Sequence, residues 1–224
     1  MNVDVIILSN TANLFYYGLL QRTINTLHWS EPNIKFNPIV VETNGSYIDC
    51  GFISPNANKV ITPGIEFNYN KFLNIGVSEC NNDWLVIANN DLIFTQNWFT
   101  KILKFSDEHP EFKSFSPFEP NWHCHKTLAE AKYYEGHRVG YEITGWCLVM
   151  KREIITTCEL FDETFAFWYQ DNDYAMSLQK NNIKHALITG SRVYHETSQS
   201  HKLLGIKETE MTHLQRSTFI KKWN

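Results

Sequence analysis

Asp171 and Asp173 stand two positions apart in the stretch Phe165-Ala166-Phe167-Trp168-Tyr169-Gln170-Asp171-Asn172-Asp173, directly after a cluster of aromatic side chains. A carboxylate there can take the proton of an attacking hydroxyl. It can equally cap the helix that Tyr174 to Lys180 would form. A further acid, Asp91, closes the run Trp84-Leu85-Val86-Ile87-Ala88-Asn89-Asn90-Asp91. Hard divalent cations take oxygen ligands, so an acid at the end of a buried strand suits such a cation; Asn-Asn-Asp is also an ordinary turn. His195, in Val193-Tyr194-His195-Glu196, is a lone imidazole, a metal ligand or a plain hydrogen-bonding group. Glu42 ends Ile39-Val40-Val41-Glu42, and its carboxylate is suited to accept hydrogen bonds from hydroxyl or N–H groups. Ser9, Asn10 and Thr11 form a polar cluster after the first apolar run, with helix capping as their plainer use.

The elements that would position these residues follow from pattern. Val3 to Leu8 is a β-branched apolar run, and Leu14 to about Leu27 carries apolar residues at three- and four-residue steps. Ile39 onward is a second strand, and a strand–helix–strand order predicts a βαβ unit with a parallel sheet. Ligands of such sheets bind at the carboxyl ends of the strands. Tyr69 to Glu79 has helical spacing, which Gly76 weakens. Trp84 to Ala88 reads as a buried strand, Asn97 to Phe105 as a helix, and Tyr141 to Met150 as a strand running into a helix at Lys151-Arg152-Glu153. Residues 47–63 and the stretch from His109 to Val139, with Pro110, Pro117 and Pro120, read as irregular; loops of that length usually serve function.

Composition bounds the rest. With 224 residues, 43% of them hydrophobic, the chain can bury one sizeable core. A net charge of -4 leaves no electrostatic footprint for non-specific nucleic-acid binding. Five cysteines at irregular spacing make neither a disulfide framework nor a CxxC pair, as expected of a reducing cytoplasm. His123-Cys124-His125 has no second Cys/His pair at zinc-site spacing. No apolar run reaches the roughly 20 residues that span a bilayer, and the acid inside Met1-Asn2-Val3-Asp4-Val5 does not fit a signal peptide.

In order and spacing these motifs resemble a family-2, GT-A-type glycosyltransferase over nearly the whole chain, most closely at 84–94 and 141–200. The resemblance implies one α/β (Rossmann-like) domain with a mostly parallel sheet flanked by helices. Residues 1–105 would form the nucleotide-sugar half and 106–224 the acceptor and catalytic half. It implies transfer of a hexose or pentose from a nucleotide diphosphate sugar to an acceptor hydroxyl, inverting, with Asp171 as the base. Asp91 matches the metal-touching acid of the family's D-x-D motif, whose first acid is here Asn89, and His195 would complete a Mn2+ or Mg2+ site. Ser9, Asn10, Thr11, Glu42, Asn74, Asn89 and Asn90 match donor-binding positions. Gly145, Trp146, Trp168 and Asp173 match the acceptor side. Gln170 replaces the Glu that normally precedes the base, which should lower the pKa of Asp171 relative to that arrangement. The ending Phe219-Ile220-Lys221-Lys222-Trp223 resembles that of many soluble members, and here it would either dock as a terminal helix or touch phosphate. The acceptor, be it a glycan, a lipid-linked sugar, a protein or a modified nucleic-acid base, stays open. A nucleotidyltransferase would need a Gly-rich basic loop after the first strand, which Leu8-Ser9-Asn10-Thr11-Ala12-Asn13 lacks. A catalytically silent nucleotide- or carbohydrate-binding module is the alternative that the missing acids suggest.

Overall fold

The computed structural model describes residues 1–43, 56–123, 131–196 and 208–224. Cys50, Cys124 and His125 lie outside the described residues.

Strand β1 (Asn2–Ser9) is buried on both faces, which its unbroken apolar run requires. Val3, Val5 and Ile7 enter one core cluster and Ile6 the other, as the two-residue period of a strand dictates. Helix α1 (Leu14–Ser30) starts at Asn13, whose side chain accepts from the Phe15 and Tyr16 amides, and returns the chain to β2 (Lys35–Glu42). Strand β3 (Lys59–Ile61) extends the sheet beyond β2. Helix α2 (Tyr69–Val77) then leads to β4 (Trp84–Asn89), parallel to β1 on its other side. Gly76 lets α2 press onto β1: a Cβ there would meet Ile6 Cγ2 at 2.7 Å. Asp4 is buried inside β1 and accepts from the Asn81 and Asn82 amides at 2.8 Å, which ties down the turn that feeds β4.

The second half reverses direction. After β5 (Leu92–Phe94), helix α3 (Trp98–Glu108) packs its rings into the core, and β6 (Phe112–Phe118) follows. The one-turn helix α4 (Pro120–His123) and strand β7 (Tyr133–Glu135) lead to β8 (Cys147–Lys151), then the short helix α5 (Glu153–Thr157). Helix α6 (Gln170–Lys180), strand β9 (Lys184–His195) and helix α7 (Glu208–Trp223) complete the described chain. The sheet runs β3-β2-β1-β4-β8-β6-β9-β5, with β7 paired to β9. Strands β1 to β4, β6 and β9 run one way; β5, β7 and β8 run the other.

Strand β6 corrects the expectation of an irregular 109–139 stretch. Phe112-Lys113-Ser114-Phe115-Ser116-Pro117-Phe118 is a central strand, pairing with both β8 and β9. Its serines are fully buried: the Ser114 hydroxyl bonds Tyr174 Oη and His185 Nδ1, both at 2.6 Å, and Ser116 accepts from the Thr144 amide. The predicted strand from Tyr141 likewise begins only at Cys147. No helix among the described residues is long and apolar enough to cross a membrane.

Candidate active site

The topology gathers the singled-out residues at one edge. The carboxyl ends of β1, β2 and β4 deliver Ser9-Asn10, Glu42-Thr43 and Asn89-Asn90 there. Because β8 runs antiparallel to β4, its amino end brings Gly145-Trp146 to the same edge, where the Asn89 amide donates to the Trp146 carbonyl at 2.9 Å. Strand β9 ends there too, with His195 opposite Leu92 in register. A cleft of about 500 Å³ opens among these ends. Ser9, Asn10, Thr43, Asn89, Asn90 and His195 line it together with the start of α6, Gln170 to Asn172, and the rings of Phe67, Tyr69, Trp146, Phe167, Trp168 and Tyr169.

Asp171 lies against the backbone of Gly145. A Cβ at that glycine would sit 2.2 Å from each of the Asp171 carboxylate oxygens, so only glycine leaves the acid its place. Neither oxygen receives a hydrogen bond from the described residues. Burial, with no neighbouring cation to offset it, pushes the carboxyl up to about 6. Desolvation thus outweighs any lowering from having Gln170 in place of Glu. Tyr69, across the chain in sequence, faces the same group: burial, and then the charge of Asp171, push its phenol upward. Tyr69 went unseen in the sequence, where nothing connects it to a residue so far along the chain. Directly before α6, Tyr169 adopts φ 64°, a left-handed conformation that costs a non-glycine residue energy and recurs at functional sites.

Asp91 is buried, and its Oδ1 accepts no hydrogen bond while lying 3.2 Å from His195 Nε2. Asn89 Nδ2 lies 3.3 Å from the same nitrogen, and the Trp146 ring stacks on the imidazole at 5.5 Å and 26°. A bare carboxylate oxygen beside an imidazole nitrogen fits a divalent cation. Among the described residues no three His, Cys, Asp or Glu side chains converge as a complete metal site, so phosphate and water oxygens would have to fill the remaining positions.

Four residues expected at the site, Asn74, Glu42, Thr11 and Asp173, are engaged with other protein groups. Asn74 donates to the Phe161 carbonyl at 3.1 Å and the Glu163 carboxylate at 2.9 Å, stapling α2 to the 161–163 segment rather than facing the cleft. Glu42 is fully buried and accepts from both the amide and the hydroxyl of Thr11 at 3.0 Å, so this pair orders the loop after β1. Asp173 is absent from the cleft lining and accepts from Lys222 Nζ and Trp223 Nε1 at 2.8 Å each. The ending Lys222-Trp223 therefore docks on α6. His123 is fully buried: Nδ1 accepts from the Glu119 amide at 2.8 Å and Nε2 faces the Tyr141 carbonyl at 3.1 Å, a structural role.

No family model matches the sequence, and no curated protein matches it. Among solved structures the chain is similar to the crystal structure of GalNAc-T7 with UDP, GalNAc and Mn2+, at 12% identity over 93% of this chain and 46% of that one, with a TM-score of 0.65. It is also similar to the crystal structure of S. aureus TarS 1-349, at 11% identity over 87% of this chain and 60% of that one, with a TM-score of 0.64. The chain thus spans only 46% and 60% of the two chains. At these identities the likeness is one of fold: a single α/β domain of GT-A type, its central, mostly parallel sheet flanked by helices.

Proposed function

We propose that this protein is a glycosyltransferase that moves a hexose or pentose from a nucleotide diphosphate sugar to an acceptor hydroxyl with inversion. One observation carries the reading: a single cleft holds both a carboxylate without a hydrogen-bond partner, Asp171 on Gly145, and His195 with buried Asp91 beside it. Asp171 takes the proton of the acceptor hydroxyl as its oxygen bonds to the anomeric carbon. The bond from that carbon to the diphosphate oxygen breaks, and the nucleoside diphosphate leaves with its electron pair. A carboxyl near 6 is mostly ionised at neutral pH yet basic enough to serve.

The described lining contains no lysine or arginine. A divalent cation, Mn2+ or Mg2+, held by Asp91 and His195 with Asn89 adjacent, would supply the charge that the leaving diphosphate needs. The similar GalNAc-T7 structure contains UDP and Mn2+, which supports this choice of donor and cation. Ser9, Asn10, Thr43 and Asn90 form the polar, donor-facing side. Trp146, Trp168 and Tyr169 offer ring faces to a sugar. The donor half is 1–105 and the acceptor half 106–224, with the cytoplasm as the compartment; the acceptor class stays open among glycan, lipid-linked sugar, protein and modified base.

The test is donor hydrolysis across a panel of nucleotide sugars, with and without Mn2+. Release of nucleoside diphosphate from one donor, dependent on Mn2+ and lost in Asp91→Ala, supports the assignment; Asp171→Asn should bind donor without turning it over. Asn89 and Gln170, where the family carries acids, favour a silent binding module as the second reading. Donor binding without turnover, even with acceptor supplied, would establish that reading instead.

A further inference from the structure

The segment that carries the base, 161–173, is laced from both sides. On one side α2 and its N-cap residue contribute a row of amides: Asn68 Nδ2 donates to the Glu163 carbonyl, Asn70 Nδ2 to the Asp162 carbonyl, both at 2.8 Å, and Asn74 Nδ2 to the Phe161 carbonyl. The Tyr69 amide donates to the Ala166 carbonyl at 2.6 Å. On the other side lies α7. Gln215 Oε1 accepts from the Ala166 amide at 3.2 Å, and the Phe219 ring packs on Tyr169 at 5.3 Å and on Phe165 at 6.4 Å. At its last turn Lys222 Nζ lies 2.8 Å from a carboxylate oxygen of Asp162 and 2.8 Å from one of Asp173, and Trp223 Nε1 donates to Asp173.

Asp173 is 1% exposed, so Lys222 and Trp223 satisfy a buried charge that nothing else in the described structure neutralises. Asp173 also shares its helical turn with Asp171. The first turn of α6 is therefore held at two points, the base against Gly145 and Asp173 in the grip of α7. Its N-cap residue is the strained Tyr169, whose side chain offers no capping bond, so the turn depends on these outside contacts.

We propose that Lys222 and Trp223 are positioning residues for the base: through Asp173 they fix the first turn of α6, and with it the place of the Asp171 carboxylate in the cleft. This rests on the transferase reading above for what Asp171 does, though not for the clamp itself. The arrangement joins both ends of the site in one chain segment, because α7 follows the strand that ends at His195. A reacting group displaced by about an ångström can lose about a hundredfold in rate, so a clamp remote from the substrate can govern turnover.

Amide hydrogen exchange, which needs no substrate, is measured together with turnover. The variants are Lys222→Met and Trp223→Phe, the latter keeping a ring while removing the N–H. In both, exchange across 165–173 should quicken about tenfold or more, while exchange in β1 and β4, and the affinity for Mn2+ alone, stay as in wild type. With whichever donor the wild type hydrolyses, kcat should fall about tenfold or more and the donor KM should move less than about twofold. Lys222→Arg should recover most of kcat. Unchanged exchange at 165–173 in both variants overturns the proposal. Faster local exchange with unchanged kcat also overturns it, making the contact one of stability alone, as does a uniform rise over the whole chain in both. A wild type that turns over no donor overturns the transferase reading instead, and exchange still decides whether α7 holds this segment.

Discussion

For Asp171, burying the carboxyl carries a cost in stability. Its folded-state carboxyl, near 6 against 3.8 for the free group, binds its proton more tightly than the unfolded chain does. Its contribution to stability is therefore complete below about pH 4 and is lost as pH rises through about 6. Asp171→Asn, which never charges, should be more stable than wild type by about 2–3 kcal/mol at pH 7 in metal-free buffer and about equal to it near pH 4. Thermal melts at the two pH values check this, and a variant equal to wild type at pH 7 would refute the burial cost. On the proposed role of Asp171 as base, wild-type kcat/KM should drop about tenfold per pH unit below about 6, where its carboxyl is protonated. Gly145→Ala tests the same geometry from the backbone: its Cβ would lie within 2.2 Å of the carboxylate, so the acid must move. Activity should fall about a hundredfold with the fold retained, measured as donor turnover beside a circular-dichroism melt. At this scale the place of Asp171 in the cleft was legible in the sequence, because the aromatic cluster before it, Phe167 to Tyr169, lines the same cleft. The partners of Asp173, Asn74 and Glu42 were not. Each is a polar side chain whose use is decided by a residue tens of positions away: Lys222, Phe161 and Thr11, respectively.

The βαβ start of the chain was legible because β1, β2 and β4 are β-branched, apolar and bounded by polar turns, and both of their faces are covered. Strand β6 was not, since buried serines and a proline read as loop until the side chains that meet them, Tyr174 and His185, are in place. The same holds for α2. Asn74 looks like a ligand contact in sequence, yet it donates to the Phe161 carbonyl, beside Asn70 and the N-cap Asn68, which donate to the Asp162 and Glu163 carbonyls. Asn70→Ala would leave the Asp162 carbonyl without its partner at a part-buried position. It should cost about 1–2 kcal/mol in chemical denaturation and raise exchange in 161–167 more than elsewhere. An equal loss from Asn74→Ala with unaltered donor affinity would place that residue firmly in the scaffold.

The domain as a whole carries two opposed pH responses. His185 sits at the centre of the second half, fully buried, its Nε2 facing the Glu142 carbonyl at 2.9 Å and its Nδ1 the Ser114 hydroxyl, with Tyr174 beyond and His137 near. Burial holds the imidazole down at about 3 against 6.5 in the unfolded chain. The unfolded chain therefore takes up the proton first, so this contribution is complete above about pH 6.5 and is lost as pH falls toward 3, at about 1.4 kcal/mol per unit. Asp171 works the other way between about 6 and 4, gaining as pH falls. Over that window the two nearly cancel, so wild-type stability should change less with pH than either group alone dictates. Asp171→Asn should expose the His185 slope, losing about 1.4 kcal/mol per unit relative to wild type on acidification from pH 6 to 4. His185→Asn, which keeps hydrogen-bonding groups but does not titrate, should be weaker than wild type at pH 7 and then gain on it by a similar slope as pH falls. Denaturation midpoints for the three proteins at half-unit steps check this. Parallel curves would mean that burial shifts neither group in the folded state, and the raised Asp171 carboxyl would lose its physical cause along with the acid sensitivity.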